Sequence, residues 1–159
     1  MGTERTKILV VSGYHPEEIF AVRVGECLFQ NNSNPEIKVV RYAGKPDDSD
    51  HLEQLILEQN PLIASIILHG DDDLGCEAMI VYLAKTEEEK RLMEELLINF
   101  ILRYEMGLVD GNALLNEKEY TQIDIELNSR QLSLIKAAEL ITGFSEYLID
   151  LNLNKGAKL

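Results

Sequence analysis

The sequence predicts an α/β domain, a three-layer sandwich in which a mostly parallel, mixed central sheet is flanked by helices. Short, β-branched apolar runs alternate with amphipathic stretches of helical spacing through most of the chain. The apolar runs end in turns rich in Gly, Asn, Asp and Pro. No Pro-, Gly- or Ser-rich stretch divides the 159 residues, which are enough to bury a sizeable core. The expectation is one domain over residues 1–159, with 154–159 as a frayed tail.

Residues 7–12 (KILVVS) read as a buried strand closed by Ser12-Gly13. Residues 16–30 read as a helix, with Pro16 in the first helical position and Glu17 and Glu18 near the positive end of its dipole. After the Asn31–Pro35 loop, 37–42 (IKVVRY) reads as a second strand and 49–59 as a short helix ended by Asn60-Pro61. His51 falls in the first turn of that helix as an exposed residue. Residues 62–68 (LIASIIL) form the most apolar strand, which is expected to stop at His69-Gly70. Residues 79–84 form another strand. Thr86-Glu87-Glu88-Glu89 has the pattern of a capping box opening a helix to about residue 105, with Leu92, Leu96, Leu97, Phe100 and Ile101 on its inward stripe. A loop is expected around Gly107, Gly111 and Asn112. Residues 121–127 (TQIDIEL) alternate as a half-buried strand, and Ser129 or Ser133 opens a last helix to about residue 151.

A net charge of −13 argues against nucleic acid or an anionic membrane as partner, because phosphate binding needs a basic surface. No segment approaches the roughly 18–20 apolar residues of a membrane span. The run Ile8-Leu9-Val10-Val11 is too short for a signal-peptide core, so a cytoplasmic protein is expected. Cys27 and Cys76 lie in no CxxC pair and read as two reduced thiols. The sequence leaves the oligomeric state open.

Three short clusters carry chemistry. His15 and Glu18, three residues apart where the first strand gives way to a helix, can converge on one ion. His69 follows a core strand in the same manner, and open α/β sheets bind ligands at the carboxyl ends of their strands. Should the two strands be parallel neighbours, both histidines face one crevice. In the third cluster, Ile123, Ile125 and Leu127 share one face of a strand, and Asp124 and Glu126 share the other. Two histidines and a glutamate are normal zinc ligands that leave a fourth position open for water. A further carboxylate, Glu126, suits transfer of the water's proton to a leaving amine. The adjoining Asp71-Asp72-Asp73 reads either as oxygen ligands for a hard cation or as a solvated loop.

This order of motifs, Gly13-Tyr14-His15-Pro16-Glu17-Glu18, then Leu68-His69, then Ile125-Glu126-Leu127, resembles the zinc carboxypeptidase-like enzymes. Within them it is most similar to the succinylglutamate desuccinylase/aspartoacylase branch. The resemblance implies Zn2+ on His15, Glu18 and His69, Glu126 as general base, and hydrolysis of an amide or peptide bond next to a carboxylate. The partner would be a small molecule or peptide carrying that carboxylate. Two departures bear on the substrate. The segment between Glu18 and His69 is shorter than in the family, and the Asn-Arg pair that contacts substrate there is not visible. Arg23, Arg41, Lys45 and Arg130 are the available cations. Arg41, at the end of the second strand, is the first choice for holding a carboxylate or oxyanion, and Arg130 the second. The departures define an alternative: a catalytically inactive metal-binding or interaction module of the same fold.

Overall fold

In the computed structural model, which describes residues 5–46, 48–104, 109–116 and 118–157, strand β1 (Ile8–Ser12) is buried along its whole length. It is followed by α1 (Ile19–Asn31), β2 (Ile37–Arg41), α2 (Ser49–Gln59), β3 (Ala64–Gly70) and β4 (Ala78–Ala84). Then come α3 (Glu87–Tyr104), β5 (Val109–Leu115), β6 (Gln122–Leu127) and α4 (Leu134–Ala157). The strands form one mixed sheet in the order β2-β1-β3-β6-β4-β5, in which every neighbouring pair is parallel except β4 with β6.

Period-2 alternation divides the apolar residues between two faces. Ile8, Val10, Ile66, Leu68, Ile123 and Ile125 face α1, α3 and α4, which supply Val24, Leu28, Leu97, Phe100, Leu140 and Phe144 to one continuous core. Leu9, Val11 and Ile67 face the other way, onto Leu52 and Ile56 of α2. The result is an α/β sandwich of four helices about a six-stranded sheet, with one helix on one side and three on the other. No helix of the described residues is long and apolar enough to cross a membrane.

Several local expectations are corrected. The first helix begins at Ile19 and not at Pro16. His15–Glu18 instead closes a turn, in which the Glu18 N–H donates to the His15 carbonyl at 3.0 Å. Proline's fixed φ suits the second position of such a turn as well as it suits a helix start. The third strand does not stop before His69 but runs through Gly70, because its parallel ladder with β6 continues to Leu127. The expected loop at Gly111 and Asn112 is strand β5, paired to β4 along its length; Gly107 lies outside the described residues. At Gly111 a Cβ would meet Leu97 and Ile101 of α3 at 3.0 Å, so a glycine that reads as a turn signal is a packing requirement. On α3, Leu92 is 43% exposed and Met93 takes the inward position. Only half of the capping box forms: Thr86 Oγ1 accepts from the Glu89 N–H, while the Glu89 carboxylate accepts from the Tyr82 hydroxyl. Ser133 caps α4, accepting from the Lys136 N–H, and the helix continues to Ala157; residues 158 and 159 lie outside the described residues.

Two glycines shape the exit from β1. Gly13 has φ of +81°, the left-handed region that only glycine enters freely. Gly25 lets α1 lie against the end of β1: a Cβ there would stand 2.1 Å from Ser12 Oγ and 2.2 Å from Ser12 Cβ. Gly25→Ala should therefore push α1 off β1 and destabilise the fold by about 1–3 kcal/mol in urea titration, as overpacking does. Because the obstacle is the Ser12 side chain, adding Ser12→Gly should recover part of that loss. A Gly25→Ala protein as stable as the parent would contradict the packing described.

Candidate metal centre

Because β1, β3 and β6 are parallel neighbours, their carboxyl ends lie along one edge of the sheet. The loop after β1 carries His15 and Glu18, β3 ends with His69-Gly70, and β6 carries Glu126 beside His69 in register. His15, Glu18 and His69 come together. One ligand atom from each lies within 4.8 Å of the others, and the two imidazole rings are 5.2 Å apart between centroids. The condition set by the sequence, that the strands before the two histidines be parallel neighbours, is met.

Glu18 is aimed by its surroundings. Its Oε2 accepts from the Gly70 N–H at 2.9 Å. Its Oε1 is buried, has no hydrogen-bond partner, and lies 3.8 Å from His69 Nδ1. An acceptor left this way costs on the order of 1–3 kcal/mol, and more when it is charged. A cation between the three side chains would supply the missing partner. Two imidazoles and a carboxylate are a donor set that fits zinc, so the residues present fit the ion.

His69 is held from behind. Its Nε2 lies 3.3 Å from Asp124 Oδ1, and a carboxylate that accepts the Nε2 proton leaves Nδ1 as the free lone pair, on the side of Glu18. The sequence placed Asp124 on the same strand face as Glu126 but gave it no role. Its role depends on which strand lies beside β6, and the sequence does not state that register.

Burial alone would lower the His69 pKa. The hydrogen bond and charge of Asp124, with the charges of Glu18 and Glu126, outweigh it and hold the pKa above the ordinary 6.5. Burial raises the Glu126 pKa, and the charges of Asp71, Glu18 and Asp124 raise it further against the opposing pull of His69. The aspartates after β3 form a latch. Asp72 Oδ1 accepts from both the N–H and the hydroxyl of Ser129, which lowers the Asp72 pKa, and the Asp73 N–H donates to Asp71.

Both expected substrate cations have acidic neighbours of their own. Arg41 pairs with Glu26 at 3.2 Å and its guanidinium lies over the Phe29 ring, 4.2 Å from the centroid. Arg130 is exposed, with its charge acting on Asp72. A cleft of about 470 Å³ opens beside Glu18, with Phe20, Arg23, Gly70 and Ser129 among its lining. Arg23 is the basic residue of that lining. A larger cavity of about 660 Å³ lies between α1 and α4, around Cys27, Asn31, Thr142 and Glu146, and has no histidine in its walls. Cys27 and Cys76 are both free thiols.

No protein-family model matches the chain, and neither does any curated protein sequence. Solved structures do match. The N-acetylmuramoyl-L-alanine amidase AmiC2 of Nostoc punctiforme superposes with a TM-score of 0.59 at 12% identity, over 96% of this chain and 99% of the amidase chain. The N-acetylmuramyl-L-alanine amidase Ami1 of Mycobacterium abscessus gives 0.59 at 12% identity, over 91% of this chain and 97% of its own. Murine aminoacylase 3 gives 0.57 at 12% identity, over 96% of this chain. The chain spans 66% of the aminoacylase's length. At such identities the likeness is one of fold.

The raised pKa of His69 carries a stability consequence for metal-free protein. Protonated His69 is favoured by the fold, so its contribution is complete below pH 6.5 and is lost as pH rises through the higher folded value. His69 should therefore titrate above 6.5 by NMR in chelator-treated protein. A His69→Gln variant should lose most stability relative to the parent at acid pH and least above neutrality. A His69 midpoint below 6.5 would contradict the carboxylate surround.

Proposed function

We propose that this chain is a zinc-dependent hydrolase of amide or peptide bonds, with zinc on His15, Glu18 and His69 and with Glu126 as general base. The observation that carries this reading is the buried Glu18 Oε1, which has no hydrogen-bond partner and is grouped with the imidazoles of His15 and His69, the latter beside Glu126 in register. A zinc ion bound there would supply positive charge that acidifies water and polarises a substrate carbonyl.

The chain's own residues account for the proton. As water oxygen bonds to the amide carbon, Glu126 takes the water's proton. It then delivers that proton to the amide nitrogen as the C–N bond breaks, giving a carboxylic acid and an amine. The raised Glu126 pKa suits a group that must both accept and donate a proton. Asp124 and Gly70 orient rather than react: one holds His69 and the other holds Glu18.

The substrate we propose is a small molecule or peptide with a carboxylate beside the scissile amide. The resemblance of the motifs supports that class, and so does the fold shared with amidases and an aminoacylase. With Arg41 engaged by Glu26 and Phe29, the cation assigned to that carboxylate is Arg23, on the wall of the cleft beside Glu18.

Glu126→Gln keeps the side chain's length and removes its basicity. It should bind zinc as the parent does and lose roughly 10²–10⁴-fold in hydrolysis rate on a panel of N-acyl amino acids, muropeptides and short peptides. A variant that hydrolyses at the parental rate would remove Glu126 from the mechanism. A zinc-loaded parent that hydrolyses nothing on the panel would favour the inactive metal-binding module instead.

A further inference from the structure

Behind the candidate metal centre, the polar side chains of β6 and of the segment before it form a hydrogen-bonded row. Lys118 Nζ donates to Gln122 Oε1 at 3.2 Å, and also to the Tyr120 hydroxyl at 3.3 Å. Gln122 Nε2 donates to Asp124 Oδ1 at 3.0 Å. Asp124 Oδ1 faces His69 Nε2 at 3.3 Å. Gln122 is only 6% exposed, so water does not readily replace these partners.

The row has one polarity. An ammonium has only donors, so Gln122 must turn its carbonyl toward Lys118. Its amide then points its N–H at Asp124, where the carboxylate has only acceptors. Asp124 in turn can only accept, so His69 must present Nε2–H to it and keep the Nδ1 lone pair for the centre. Reversing any member would set donor against donor or acceptor against acceptor inside a half-buried row. The register that aligns β3 with β6 puts His69 and Asp124 within reach of each other, and the i, i+2 spacing of Gln122 and Asp124 puts both on that same strand face.

We infer that Lys118, Gln122 and Asp124 are positioning residues that fix the tautomer and orientation of His69, so that the affinity of the centre for metal is set in part from Lys118, outside it. This rests on the zinc reading above. Outer partners of metal-bound histidines typically contribute about 10–100-fold to metal affinity. The Asp124 carboxylate, in direct contact with His69, should carry most of that. Lys118 and Gln122 contribute only by holding Asp124, so their effect exists only while Asp124 is present.

The test measures zinc dissociation constants by competition with a chromophoric chelator, alongside the melting temperature of each metal-free protein. Asp124→Ala should weaken zinc binding by about 10–100-fold. Asp124→Asn keeps an acceptor for His69 and should restore most of that loss. Lys118→Met and Gln122→Leu should weaken zinc by smaller factors, and neither should weaken it further in an Asp124→Ala background. A residue that merely supports the fold would lower the metal-free melting temperature and would act additively with Asp124→Ala. Two results overturn the inference alone: single variants that bind zinc like the parent, or Lys118→Met and Asp124→Ala effects that add. A parent that binds no zinc overturns the metal reading and this inference with it.

Discussion

The pairing of β3 with β6 is the constraint on which the rest of the site depends. These two parallel strands lie at the centre of the sheet, and their register puts His69 beside Glu126. A slip of one residue in β6 would turn Asp124 and Glu126 away from His69 and into the core beside Leu68, and would turn Ile123 and Ile125 out of that core. The apolar face thus enforces the polar one. Alternation that reads as ordinary core patterning also delivers three titratable groups to the same side of the sheet. The loop after β1 completes the arrangement because β1 is the other parallel neighbour of β3.

The site is crowded with negative charge. Glu18, Asp124 and Glu126 all act on His69, and Asp71, Glu18 and Asp124 all act on Glu126. Without a metal, these charges favour the protonated form of His69. A divalent cation answers the same field and adds a partner for Glu18 Oε1. The centre therefore makes structural sense as a place that collects a cation. In a chain of net charge −13, the carboxylate of the proposed substrate would need a specific cation such as Arg23, because the general field opposes it.

Much of this was legible in the sequence, for identifiable reasons. β1, β3 and β6 are short, β-branched runs that stop at polar residues, and the donors sit at those stops. His69 lies within the last two residues of β3, and His15 and Glu18 lie in the segment that follows β1, so the order of the motifs along the chain was enough to name them together. What the sequence hid was pairwise. Pro16 serves a turn as readily as a helix start, and hydrogen bonding around Glu18 decides between them. Gly111 reads as a loop until α3 is seen pressing on it. Arg41 reads as a free cation until Glu26 and Phe29 are placed beside it. Asp124 is one of two carboxylates on a strand until His69 is found on the neighbouring one.

The central claim is that a zinc ion belongs between His15, Glu18 and His69. X-ray absorption at the zinc edge, on protein loaded with one equivalent of zinc, addresses it most directly. The account predicts two imidazole nitrogens at about 2.0–2.1 Å, with oxygen completing the shell, and one imidazole fewer in a His15→Ala variant. A shell of oxygens with no imidazole, or two imidazoles that persist without His15, would contradict it.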